Sequence, residues 1–444
     1  MSYSVAVPAV RRNAEPALDL FLLPLKLFHA LINSPTLIFL LTMTAMLFRP
    51  PDLKSFPIDR VAFLVLVISV SLRLCLLRER LRVFPATWPL LALLALGFWG
   101  AVTQPCSAQA WSLFAAKWMV PFVMFHTAGF VFRDGRSLRT LELFLLAVLF
   151  YLCAISVFSL LNANAFIFPK FITDENLGIH ADRARGPFLQ AVANGVCLNL
   201  LGLIASDSFR RGKLRGVPAG ILFVAAPLAL LATRTRAVWL SAAISVGYLL
   251  FLGSAPRLRR VALALTLAVI AGGSVVYFYR SNNDSLAERL LDRSPVDFRT
   301  EMYRAGLEMF AEKPRFGWGN EWAVQPEIEK RVSNFHPEYY VFHNTFLELA
   351  VQRGILGLGL YLWLMLSLFR LRSGDASVGD LPFPGRDFRK LWPMMLGVYL
   401  LNASAVVMNY QFVNALLFTI AGILASQAER RTLTSPSLAW SSAQ

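Results

Sequence analysis

The chain of 444 residues is 56% hydrophobic and only 16% charged, with a mean hydropathy of +0.55, which excludes an ordinary soluble domain of this length. Its formal charge is +16, but the lysines and arginines are spread over separate short segments, which argues against a nucleic-acid partner. The four cysteines, Cys75, Cys106, Cys153 and Cys197, lack metal-ligand spacing and three of them fall in apolar runs, so they read as packing residues.

Residues 1–33 are expected to be a cytoplasmic N-terminus whose Leu18–Leu31 stretch lies in the membrane interface, with no cleavable signal ahead of it. Apolar runs long enough to cross a bilayer lie near 34–48, 61–77, 86–103, 111–132, 138–161, 187–206, 217–233, 237–253, 261–278, 354–370, 391–408 and 411–425. These twelve runs predict an all-α polytopic membrane protein: nine transmembrane helices over 34–278, one large, partly helical loop over 279–353, three more helices over 354–425, and a tail over 426–444. An even number places both termini on one side. With the N-terminus in the cytoplasm, the inner segments hold Arg78, Arg80 and Arg82, then Arg133, Arg136 and Arg139, then Arg210, Arg211, Lys213 and Arg215, whereas the short outer loops are nearly bare. The positive-inside rule therefore puts both termini in the cytoplasm and the large loop outside.

That topology makes Arg234 and Arg236, in a tiny outer turn, unexpected. Guanidinium groups at the membrane surface suit a bidentate grip on phosphate oxygens, and they suit equally well a pairing with lipid headgroups or with acids such as Glu301 or Glu308. Arg183 and Arg185 raise the same question at the mouth of the sixth run. There Gly186 permits close backbone approach and Pro187 fits a first helical turn, a natural setting for an anion. Asn194 within that run is either helix glue or a ligand.

The longest polar stretch runs from Arg299 to Gly354. It starts as an amphipathic helix with Tyr303, Leu307 and Phe310 on the apolar side, breaks at Pro314, Gly317 and Gly319, and resumes at His343 as the start of a membrane helix. A histidine at the water-facing start of such a helix reaches a substrate in the aqueous layer while its backbone stays anchored. His29, His126 and His180 read as packing or solvated histidines, and His336, before Pro337 in the loop, is a secondary candidate. The aromatics from Trp318 to Phe342 form either a sugar- or prenyl-binding wall or an interfacial belt.

Arg183-x-x-Gly186 with Asn194, Thr233-x-x-Arg236, Arg299 followed by Tyr303, Pro314 and Gly317-x-Gly319, and His343-Asn344 leading to Gly354 together resemble the bacterial O-antigen ligase and polymerase superfamily. The resemblance covers roughly 180–425. It implies a GT-C-like membrane glycosyltransferase of the inner membrane, inverting, that takes a glycan from undecaprenyl diphosphate on the periplasmic face. The acceptor would be another glycan, lipid A core or a protein hydroxyl. It also implies that Arg183 or Arg185, Arg236 and Arg299 hold the diphosphate, that His343 acts at the acceptor, and that no metal or other cofactor takes part. Arg234, Tyr303 and Asn344 stand beside these as accessory candidates. A glycan transporter or flippase is the rival class. Such folds show matched halves, and no internal repeat is visible here.

Overall fold

The computed structural model describes residues 34–49, 57–79, 82–103, 108–178, 180–251, 294–332, 342–373, 383–385 and 388–434, with isolated positions between 256 and 267. Among the described residues every regular element is a helix. The first half holds α1 (Pro35–Leu47), α2 (Ile58–Leu76), α3 (Thr87–Val102), α4 (Ala108–Val131), α5 (Gly135–Leu160), α6 (Ala191–Arg210), α7 (Gly216–Ala232) and α8 (Arg236–Phe251). The second holds α9 (Ser294–Glu312), α10 (Glu321–Glu329), α11 (Thr345–Phe369), α12 (Phe388–Ala403) and α13 (Gln411–Thr434).

Five of these helices are long and apolar enough to cross a membrane: α4, α5, α6, α11 and the Gln411–Ala428 part of α13. Shorter apolar helices are α1, α3, α7 and α8. The protein is thus membrane-embedded. The 261–278 run lies almost wholly outside the described residues, as do the Leu18–Leu31 stretch and His336.

The last helix is longer than its apolar run at 411–425. α13 runs helical to Thr434, through the beginning of the expected tail, and its apolar side chains from Phe412 to Ala425 are buried. It crosses α4 closely enough that a Cβ on Gly422 would stand 2.0 Å from the carbonyl oxygen of Phe125, and Ser426 donates to Gly129 O at 3.2 Å. Small residues at such a crossing let two backbones approach, which is how helices gain contact where lipid removes the hydrophobic drive.

Local chemistry shapes the other helices. Asp134 caps α5, its Oδ1 accepting from Arg136 N and Ser137 N at 2.9 Å each. Pro121 in α4 lacks an N–H and crowds the carbonyl four residues earlier, that of Lys117, and the helix widens into a π turn over Ala115–Met119. At the far end of α6 from the site, Arg211 joins Asp207, with Nε to Oδ2 at 2.7 Å, to Glu142 of α5. Asn199 of α6 and Asn402 of α12 donate to Ser241 Oγ at 3.2 and 3.1 Å, fixing α8 between them. Arg236 is the first residue of that helix.

Candidate active site

The polar stretch folds as a layer against the first turns of α11. Met302, Ala305 and Met309 of α9 pack with Val324 and Ile328 of α10 and with Phe342, Leu347 and Val351. Burial of three such side chains stabilises the layer by several kcal/mol at about 1.5–3 kcal/mol each. Of the side chains expected on the apolar face, Tyr303 and Phe310 pack at the edge of this core and Leu307 does not. Leu307 is 60% exposed, whereas Met302, Ala305 and Met309 face the core, because the layer has to meet α11 along that stripe. Arg331 ties α9 to α10, with Nη2 2.9 Å from both carboxylate oxygens of Glu312 and Nη1 2.9 Å from Glu327 Oε2.

The Pro314–Gly319 turn clasps α11 through backbone alone. Trp318 N donates to Val351 O at 2.8 Å, Gly319 N to Gln352 O at 3.0 Å and Ile355 N to Pro314 O at 2.7 Å. These bonds replace helix bonds lost at Gly354, which has φ +62 and ψ −161 inside α11. Gly317, at φ +71, comes so close that a Cβ there would lie 2.5 Å from Val351 O. The glycines of the recognised pattern therefore serve chain-to-chain contact.

His343 sits just before α11 with φ 50, a left-handed conformation that few residue types adopt readily. Asn344 follows as N-cap, its Oδ1 accepting from Phe346 N at 2.9 Å and Leu347 N at 3.2 Å. Thr345 Oγ1 donates to Val406 O at 2.9 Å and accepts from Met408 N at 3.0 Å, which fastens the start of α11 to the turn between α12 and α13. The Tyr303 hydroxyl lies 3.3 Å from His343 O and 3.4 Å from Ser404 O, within reach of both carbonyls. Asn344 and Tyr303 hold the histidine's backbone.

The imidazole is half-buried, with the Phe298 ring 6.5 Å away. Its pKa is held down to about 4, first by burial, then by the Arg299 charge and by His180. A neutral imidazole at pH 7 follows. The charges of Arg299 and His180 thus both act on the His343 imidazole, although reading by sequence had set His180 aside. The signal for His180 was its place in the same outer loop as Arg183 and Arg185, but nothing in one sequence folds that loop toward α11.

The 162–190 segment makes the connection. Ala184 N donates to Ala232 O at 3.0 Å, and Arg234 Nη1 lies 3.4 Å from Asp182 Oδ2. The acid partner of Arg234 is hence in this loop, in place of Glu301 or Glu308. Asn194 donates Nδ2 to Ser156 Oγ and to Ala184 O, both at 2.9 Å, and a Cβ on Gly186 would stand 2.8 Å from its Oδ1. Glue is its observed role.

Arg185 requires a correction. It is 1% exposed, and its guanidinium donates Nε to Ile172 O at 3.0 Å, Nη1 to Leu177 O and Nη2 to Asp174 O. It is a staple of the loop, since three carbonyls otherwise stranded inside the turn need donors, and its fork is committed there. Arg183 is half-buried and shares a small polar cavity of ≈ 70 Å³ with Glu175 and Asn164. Arg236 is exposed at the start of α8.

What results is a neutral, half-buried base that feels a guanidinium charge, at the end of a membrane-embedded bundle. Such a pair can accept a proton and stabilise an anion within one site. Among the described residues no group of three or more His, Cys, Asp or Glu side chains is placed to share a metal ion.

No curated protein matches the chain. Residues 221–362 match the family model described as O-antigen ligase. That segment holds Arg236, Arg299, the glycine clasp and His343, and over it the chain is similar to the O-antigen ligase family.

Proposed function

We propose that this site transfers or polymerises a glycan from undecaprenyl diphosphate on the periplasmic face of a bacterial inner membrane, without a metal ion. The observation that carries the reading is His343, neutral and half-buried at the start of α11, under the influence of the Arg299 charge. The acceptor hydroxyl gives its proton to the imidazole. Its oxygen attacks the anomeric carbon from the face opposite the leaving group, and the configuration inverts. The bond from that carbon to the diphosphate oxygen breaks, and its electron pair stays on the diphosphate. Arg236, Arg299 and Arg183 are the guanidinium groups assigned to that developing charge. The acceptor is a second lipid-linked repeat, lipid A core or a protein hydroxyl. Assay of purified protein with a lipid-linked glycan tests the reading: a new glycosidic linkage and released lipid diphosphate are expected, and translocation alone would favour a flippase.

Two results follow. Twelve spans with both termini inside place reporter tags at residue 212 and at the C-terminus in the cytoplasm and a tag near residue 325 in the periplasm. A reversed reporter at any of these sites would separate the arginine turn from the donor. Arg236→Lys keeps the charge and loses the planar fork, so transfer should fall by about tenfold or more, one or two charge-assisted bonds at about 1.5–3 kcal/mol each, with normal insertion. Full turnover in that variant would remove Arg236 from the donor site.

A further inference from the structure

A second charged cavity, of ≈ 90 Å³, opens between α3, α4, the start of α10 and the first turns of α11. At about 10–15 Å³ per water it holds a group of waters comparable to one sugar ring. Lys117, displayed by the π turn of α4, places Nζ 2.8 Å from Glu348 Oε1, and Gln352 Nε2 reaches the same oxygen at 3.3 Å. Two glycines of α3 make the room. A Cβ on Gly97 would stand 2.4 Å from the Trp118 ring, and one on Gly100 would stand 1.7 Å from Arg353 Nη2. Asn320 Nδ2 donates to Gly100 O at 2.9 Å, holding the wall to the start of α10.

The charges in this cavity are not all paired. Lys117 and Glu348 neutralise one another. The Glu321 carboxyl is pushed up by burial, pulled back by Lys117 and raised again by Glu348, toward its protonated form. Arg353 senses Glu348, yet among the described residues its guanidinium has no hydrogen-bond acceptor. A half-buried guanidinium in a largely apolar cavity with only water to accept from it leaves a place for a ligand anion.

The rest of the lining suits a carbohydrate. Trp118 offers an aromatic face for ring C–H groups, while Glu348 and Gln352 offer acceptors and a donor for hydroxyls. Thr345 and Glu348 line the cavity within two turns of His343, and both the cavity and the imidazole lie at the same end of α11. We propose that this cavity is an acceptor subsite for an anionic sugar, a pyranose bearing a carboxylate or a phosphate, whose negative group is gripped by Arg353. The assignment to the acceptor rests on the glycan-transfer reading of His343; binding of the sugar does not.

Saturation-transfer NMR on the full chain in lipid nanodiscs tests it, with galacturonate, glucose 6-phosphate and glucose as probes at equal concentration. At least one anionic sugar should give signals several-fold stronger than glucose, and the stronger of the two identifies carboxylate or phosphate. Those signals should drop at least fivefold in Arg353→Gln and in Gly100→Ala, whose methyl group displaces the guanidinium from the opposite wall. Gly100→Ala carries the test where Arg353→Gln fails to insert. In His343→Ala the signals should persist, so loss of transfer there and loss of binding here are separate results. Equal signals from glucose, no signal from any probe, or anionic-sugar signals unchanged in the inserted variants would overturn the subsite.

Discussion

Replacing His343 by alanine is expected to lower glycan transfer by about 10²–10⁴-fold, the usual loss of a general base, at unchanged abundance in the membrane. The expectation rests on position as much as on residue type. Phe342 before it is buried, Asn344 caps the helix after it, and Tyr303 reaches its carbonyl, so the backbone that carries the ring is fixed before substrate arrives. Because residue 343 is left-handed, His343→Asn is the better control, as asparagine tolerates that conformation and carries no base. His336→Ala should cost less or nothing. Turnover near the wild-type rate in both His343 variants, or a greater loss at His336, would move the base elsewhere in the loop.

The pH profile sharpens the same expectation. Burial, Arg299 and His180 all disfavour the imidazolium, which holds the pKa at about 4, so the acidic limb of kcat/KM should fall well below the usual histidine value near 6.5. A bound diphosphate offsets the Arg299 charge, and the limb of kcat should therefore lie higher than that of kcat/KM. Arg299→Gln removes one of the depressing charges and should raise the limb of kcat/KM. A limb near 6.5 in the wild type, unmoved by Arg299→Gln, would mean that the imidazole is solvated and distant from that arginine.

Gly354→Ala should be the most damaging change that touches no polar group. At φ +62 and ψ −161 the backbone is in a region essentially reserved for glycine, and a Cβ would lie 2.3 Å from Arg315 O. Strain of about 1–3 kcal/mol adds to a clash with backbone that no rotamer change relieves. The expected result is loss of the Pro314–Gly319 clasp, with a loss of at least about 3 kcal/mol in stability, read as a lower melting temperature and lower membrane abundance. Gly359→Ala, where a Cβ meets nothing within 4 Å, is the matched control in the same helix. Equal stability of the two variants would show that the clasp contributes little.

The sequence by itself determined the class. Long apolar runs have one structural answer in lipid, because backbone N–H and C=O groups must pair within the segment, and the runs at 111–132, 138–161 and 217–233 fall on α4, α5 and α7. It also marked His343 as the start of a helix and Pro314, Gly317 and Gly319 as a break, since a polar stretch with paired glycines inside a lipid-soluble chain has few other meanings; the break at Gly354 came only with the structure. Even the charged cavity left a trace, a lone lysine at position 117 within the fourth apolar run, where intramembrane charge is expensive.

What only the tertiary structure decided is how identical side chains divide the work. Arg183, Arg185, Arg234 and Arg236 look alike along the chain, yet Arg185 is spent on three carbonyls of its own loop and Arg234 lies against Asp182, while Arg236 opens α8 at the surface. His180 reaches the neighbourhood of His343 across more than one hundred and sixty intervening residues. Lys117 meets Glu348 across a separation of 231. Pairing of this kind follows from which helices lie side by side, and helix order is set by small-residue crossings such as Gly422 against Phe125. Local periodicity carries no record of that order, because apolar helices in lipid all expose the same chemistry to their neighbours.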